Sequence, residues 1–336
     1  MLPGFLASAS GARYNPAMDI LFITSTRIGD AVLSTGLLAH LIERYLSPRL
    51  TIACGPLAAP LFEAVPGLER IVRVDKRPCS LHWLPLYAAV APRRWDVVVD
   101  LRGSVLAWLL RCGERKVTAK GDPLEHRVRQ LARLFDLDAP PSPRLWTALH
   151  HDREAARLTP AGGPVLAIGP AANWRGKEWR ANRFAELAQR LTAAGGMLAG
   201  ARVAVLAAAH ERAQAAPLLS ALPESRRIDL VGKIDLPTAA AVLRRCALFI
   251  GNDTGLMHIA AAMGTPTLGL FGPSPIERYA PWGPRAAYVR SSDSPATMFA
   301  PGFDHRTTGT LMDGLSVDAV EAAARRLWAS PASGVA

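Results

Sequence analysis

Three turns in this chain gather side chains that could hold and move charge. The first is Ser25-Thr26-Arg27-Ile28-Gly29-Asp30, which follows the apolar run Ile20–Thr24 and opens a helix near Ala31. Gly29 permits close approach of a ligand to the backbone, and Asp30 sets a carboxylate at a helix start. The helix dipole would keep that carboxylate ionised, suiting it to take a proton from a hydroxyl as the hydroxyl attacks. Helix capping is the structural alternative for Asp30.

The second turn, Gly169 to Arg180, follows the apolar run Val165–Ile168 and carries Arg175, Lys177 and Arg180 beside Trp174 and Trp179. Solvated surface charge would explain such a loop. Placed next to a diphosphate, Lys177 would instead offset the charge that grows on a leaving group. The third turn is Gly251-Asn252-Asp253-Thr254-Gly255, between a buried strand and a short helix that Gly264 stops. Amides of Thr254, Gly255 and Leu256 would point from that helix start toward an anion, and His258 would lean back to the same end. Asp253 is expected to cap the helix and contact the ligand rather than to catalyse, and a lone helical histidine reads alternatively as packing. Their convergence at the carboxyl edge of a parallel strand favours a ligand site.

The elements that must carry these turns alternate through most of the chain. Strands are expected at Ile20–Thr24, Leu50–Ala53, Ile71–Val74, Val97–Asp100 and, weakly, Arg115–Thr118. Helices are expected at Ala31–Tyr45, Pro56–Ala64, Val105–Arg111 and Leu124–Phe135. Ala139 to Gly163, Pro-rich and then polar, breaks the rhythm and reads as a linker. Beyond it come strands Val165–Ile168, Arg202–Leu206 and Ile228–Leu230, helices Arg183–Ala193, Glu211–Leu219 and Thr238–Arg245, then the Asp253 unit and a closing helix Val317–Trp328. The fold class is therefore α/β: two halves with parallel sheets, their functional turns facing a shared cleft. The expected division is a flexible tail over 1–17, a first domain over 18–155 and a second over 156–330, the last helix being free to pack back on the first domain.

The length of 336 residues suits two domains, and 50% hydrophobic with 7% aromatic content describes a globular protein. No apolar run reaches the roughly 18 residues of a membrane span, and the N-terminus lacks a basic start, so a cytoplasmic protein is expected. Cys54, Cys79, Cys112 and Cys246 show neither disulfide nor zinc spacing, and no acidic cluster has metal spacing, so no metal is expected. A net charge of +11 calls for an anionic partner. No nucleic-acid-binding signature accompanies the dispersed arginines, which leaves a phosphorylated small molecule and an anionic membrane surface. Neither GxGxxG nor GxxxxGK[ST] is present, which disfavours a nicotinamide dehydrogenase and a P-loop.

With these turns in view the chain resembles glycosyltransferase family 9, the heptosyltransferases of lipopolysaccharide biosynthesis. The likeness runs from about Asp19 to Trp328 and is strongest in RIGDAVLSTGLL (Arg27 to Leu38), GKEWRANRFAELAQRL (Gly176 to Leu191) and GNDTGLMHIAAAMGTPTLGLFGPSP (Gly251 to Pro275). The resemblance implies a GT-B fold, two Rossmann-like domains facing across a cleft, acceptor in the first and nucleotide-sugar donor in the second. By likeness Asp30 is the base, and Lys177, Glu211, Asp253, Thr254, Gly255, Leu256 and His258 hold the donor, Glu211 at the ribose. Thr26, Arg27, Gly29, Arg102 and Arg175 would line the acceptor side or the cleft. The implied reaction is inverting transfer of heptose from ADP-heptose to a Kdo or heptose of the inner core, without cofactor or metal, on the cytoplasmic face of the inner membrane.

The segment Ser291 to Thr310 lacks cysteines that many relatives carry, and it gives His305 and Arg306 no role. A non-catalytic module binding nucleotide or anionic glycolipid, and a GT-B sugar-nucleotide epimerase, remain the alternative readings.

Overall fold

The structure is a computed structural model describing residues 17–330 apart from 46, 76, 77, 79, 80, 120, 295–297 and 300–302. The expected tail and Cys79 thus lie, the tail almost wholly, outside the described residues, while Cys54, Cys112 and Cys246 carry free thiols.

Five strands, β1 (Asp19–Ile23), β2 (Arg49–Cys54), β3 (Leu68–Arg73), β4 (Trp95–Asp100) and β5 (Cys112–Val117), form a parallel sheet in the order β3-β2-β1-β4-β5. A second parallel sheet holds β6 (Val165–Gly169), β7 (Arg202–Val205), β8 (Arg227–Asp229), β9 (Leu248–Asn252), β10 (Thr267–Phe271) and β11 (Ala286–Arg290), ordered β11-β10-β9-β6-β7-β8. Both are doubly wound orders, and the chain reverses direction between β1 and β4 and between β6 and β9. The central strands β6 and β9 are buried end to end, and β1 from Ile20 on, because helices cover both faces, which is why they read as unbroken apolar runs.

The helices in chain order are α1 (Ile28–Leu33), α2 (Thr35–Arg44), α3 (Trp83–Val90), α4 (Leu106–Leu109), α5 (Arg127–Ala132), α6 (Leu149–Leu158), α7 (Ala181–Thr192), α8 (Arg212–Ala221), α9 (Leu236–Arg244), α10 (Gly255–Ala262), α11 (Ile276–Tyr279) and α12 (Val317–Ala329). The single helix expected from Ala31 starts earlier and is interrupted at Ser34. There the Ser34 hydroxyl donates to Ala31 O (2.7 Å) and Thr35 to Val32 O (2.7 Å), side-chain bonds that compete with the helix ladder. Residues 56–64 fold only as a 3₁₀ turn at Ala59–Phe62, and α3 and β11 have no counterpart in the periodicity. The stretch read as a linker carries α6, which packs on α9 and is pinned to it by Arg244 on Asp152 at 2.6 Å. The closing helix α12 packs against α7, β10 and β11 of the second half. Val317, Val320, Ala324 and Leu327 are buried with β10 and α7 residues in the core of the second.

One apolar cluster joins the two halves: Val32 and Leu61 from the first pack with Phe249, Met257, Ile259 and Ala260 from the second.

Candidate active site

The two halves meet at the starts of α1 and α10. A Cβ added at Gly255 would lie 2.6 Å from Ile28 Cγ2, and one at Gly29 would lie 3.0 Å from His258 Cδ2. Glycine at both places lets two helix starts touch tip to tip, each lying just beyond the carboxyl end of a central strand. Neither start has a capping side chain: the boundary residues Arg27 and Thr254 make no side-chain cap hydrogen bond. The first-turn amides of α10 therefore face the junction without a side-chain acceptor.

Around this junction stand four of the residues singled out by sequence. Asp30 lies half-buried in the first turn of α1. His258 is buried, its Nδ1 has no hydrogen-bond partner within the protein, and burial pushes its pKa down to about 4 against the opposing pull of Asp253 and Asp30. It is thus a neutral imidazole at neutral pH. Lys177 Nζ donates to Asp253 Oδ2 at 2.7 Å, joining the turns after β6 and β9. That bond corrects the capping expectation: the Asp253 carboxylate serves Lys177, and no side chain caps α10. A negative charge beside a diphosphate is acceptable once a cation holds it.

The other expected residues are placed less centrally. Thr254 and Gly255 begin α10, and Leu256 turns its side chain into the apolar cluster joining the halves. Thr26 backs against Gly55, Arg27 is exposed, and Arg175 lies beside Glu178 at a cavity of about 500 Å³ lined also by Pro170, Asn182 and Gln214. Arg102 stacks its guanidinium over Trp83, 4.7 Å from the ring centre, next to the buried Asp100 whose carboxylate accepts from the amides of Arg102 and Ser104 at 2.8 Å. Glu211 accepts from Ala208 N at 2.8 Å, closing its own turn beyond β7. It touches the Lys177 loop only through its charge, which, with the larger effect of burial, raises the Glu178 carboxyl above its ordinary value.

Three supports carry no local sequence signal. Buried Asn252 accepts from Trp179 N (3.1 Å) and donates to Pro170 O (2.8 Å), so β9 holds both ends of the Lys177 loop. The segment 305–315 straps the outside of that loop: Trp174 Nε1 donates to His305 O, Leu311 N to Gly176 O, Trp179 Nε1 to Leu315 O, and Arg180 pairs with Asp313 at 2.6 Å. His305 contributes its backbone, with an exposed side chain. On the first half, Arg127 donates to Leu101 O, and burial lowers its pKa against the opposing charge of Asp30. Neighbouring His126 crosses to the second half, where its Nε2 lies 2.9 Å from Ala280 O and its ring 4.6 Å from that of Trp282. Among the described residues no group of three or more His, Cys, Asp and Glu is placed to hold a metal ion.

Two doubly wound parallel sheets, their switch points turned toward one junction of acid, imidazole and paired cation, make the GT-B architecture. Comparison with known proteins takes the assignment further. The sequence model of "Glycosyltransferase family 9 (heptosyltransferase)" matches residues 102–300, and the chain belongs to that family. It is 31% identical over 309 residues to lipopolysaccharide heptosyltransferase 1 of Pseudomonas aeruginosa, covering 76% of this chain and 79% of that one. The fold is similar to that of Escherichia coli ADP-heptose lipopolysaccharide heptosyltransferase II, with a TM-score of 0.72, 19% identity and coverage of 93% and 98%. It is also similar to an Escherichia coli heptosyltransferase solved with ADP, with a TM-score of 0.68, 17% identity and coverage of 92% and 100%.

Proposed function

We propose that this glycosyltransferase moves heptose, with inversion, from ADP-heptose to a Kdo or heptose of the lipopolysaccharide inner core, working at the cytoplasmic face of the inner membrane. The observation that carries the reading is the tip-to-tip contact of α1 and α10, which brings Asp30 of one half and the Lys177–Asp253 pair of the other close enough for their charges to act on the same His258. The relatives' printed activities, lipopolysaccharide heptose transfer and ADP binding, support the choice of sugar and nucleotide.

In this reading the donor diphosphate lies at the uncapped start of α10, where amide dipoles and the Lys177 ammonium balance its charge. The acceptor hydroxyl approaches from the α1 side, and Asp30 takes its proton as the oxygen attacks the anomeric carbon opposite the diphosphate. The carbon–oxygen bond to ADP breaks as the new one forms, and Lys177 with the helix start receives the leaving charge. Neutral His258 sets an uncharged polar ring beside the donor site. Glu211 at the end of β7 meets the ribose, while Thr26, Arg27, Gly29, Arg102 and Arg175 flank the cleft.

Asp30→Asn tests the central assignment. Kcat should fall about 10²- to 10⁴-fold, the usual worth of a positioned base, while calorimetric ADP affinity stays that of the unaltered protein. Unchanged turnover would remove Asp30 from the role of base.

A further inference from the structure

The two faces of the first sheet are finished differently. One buries Ile20, Phe22 and Val97 under α2 and α5. The other buries Leu21, Ile23 and Val98 under α3 and α4, whose inward side chains are Leu86, Val90, Leu106 and Ala107, with Leu110 just beyond α4. Outward, α3, α4 and their flanks expose Leu81 (50%), Leu84 (65%), Tyr87 (38%), Val105 (73%), Trp108 (64%) and Leu109 (61%). No Asp, Glu, Lys or Arg occurs from Pro78 to Pro92, nor from Gly103 to Leu110. A surface helix ordinarily puts charge on its outer face. Scattered exposed apolar side chains are common, but six on two segments that share one buried cluster give this face an apolar outer surface of the kind that something covers.

Exposed arginines flank the two segments. Arg94 and Arg111 are exposed where the uncharged segments end, and Arg115 lays its guanidinium over Trp108 at 5.1 Å from the ring centre. Aliphatic and aromatic side chains flanked by arginine match the headgroup zone of an anionic bilayer, where rings and leucines enter and guanidinium groups stay with phosphate. A second copy docked through the same face would set arginine against arginine in a protein of net charge +11. Arg102, stacked on Trp83, links the patch to the turn after β4 at the cleft.

We propose that the α3–α4 face is the surface by which this protein lies on an anionic membrane, Leu84, Trp108 and Leu109 entering the headgroup region and Arg94 and Arg111 meeting lipid phosphate. This rests on the reading above, in which the acceptor glycan is lipid-anchored and reaches the cleft past Arg102.

The test is co-sedimentation of the full chain with vesicles of phosphatidylcholine alone or mixed with phosphatidylglycerol. Two variants are compared, Leu84→Ser/Trp108→Ser/Leu109→Ser and Arg94→Glu/Arg111→Glu. The unaltered protein should partition onto the anionic vesicles, and each variant should do so about tenfold less or weaker still. Thermal unfolding identical to the parent's shows that the variants fold, since every altered side chain is exposed. Equal partition of parent and variants, or no partition by the parent, overturns the proposal. So does a parent dimer in solution that the serine variant makes monomeric. Heptose transfer to a delipidated, water-soluble acceptor is measured alongside: its absence in the parent overturns the functional reading, whereas vesicle binding reads the surface by itself.

Discussion

Lys177 and Asp253 show how one ion pair constrains a site. The Asp253 carboxylate is only 7% exposed, and its partner Lys177 is 25% exposed, so the bond forms where water screens little. Removing the ammonium leaves a buried anion at the very helix start proposed for the diphosphate. Lys177→Ala is therefore expected to weaken ADP binding about 10- to 100-fold, more than the loss of one phosphate contact alone would produce. Asp253→Asn in the same chain removes the stranded charge and should recover part of that loss. Calorimetric titration of ADP into the parent, each single variant and the double variant measures the coupling, and strictly additive effects would show that the two residues act independently.

At the scale of elements, α1 and α10 depend on the absence of a β-carbon. An alanine at Gly255 would drive a methyl to 2.6 Å from Ile28 Cγ2 and 3.0 Å from its Cβ, and a branched side chain at a helix start has little freedom to yield. Gly255→Ala should cost about 1–3 kcal/mol in chemical denaturation and lower kcat as the helix starts part. Ile28→Ala in the same chain should restore much of both, and no restoration would place the strain elsewhere. These two helices were legible in sequence because each follows an unbroken apolar strand and opens on a glycine-containing polar turn. So Asp30, Lys177, Asp253 and His258 could be singled out, and the structure brings them to one junction. Their supports could not be singled out. Asn252 bonds partners 73 and 82 residues away, and the strap on the Lys177 loop spans more than 130 residues from Trp174 to His305 and from Arg180 to Asp313. Neither leaves a periodic trace. Helix α6 was hidden by a polar sequence, since it buries little beyond His151 and Ala155, and the edge strand β11 by half-exposure along its length.

For the molecule as a whole, the same junction couples the halves to pH. His258 belongs to the second half, yet part of what buries it is Gly29 of the first, and the groups that act on its charge are Asp253, Asp30, His126 and Lys177. Its pKa in the folded chain, about 4, lies below the ordinary histidine value of 6.5, so between those two pH values the unfolded chain holds the extra proton. Stability must then rise with pH across that window. The contribution is complete above pH 6.5 and is lost as pH falls toward 4, on the order of 3 kcal/mol over the full interval. Val32 and Leu61 pack into the same cluster as Phe249 and Met257, so loss at the junction is felt by both halves. Unfolding at neutral pH is expected as one transition seen alike by probes in either half. Lowering the pH from 7 to 5 should reduce its midpoint in the parent, and His258→Gln, which has no proton to gain, should show a distinctly shallower dependence. Denaturant melts of both proteins at pH 7, 6 and 5 measure the difference, and parallel slopes would mean that His258 does not link the closed junction to protons.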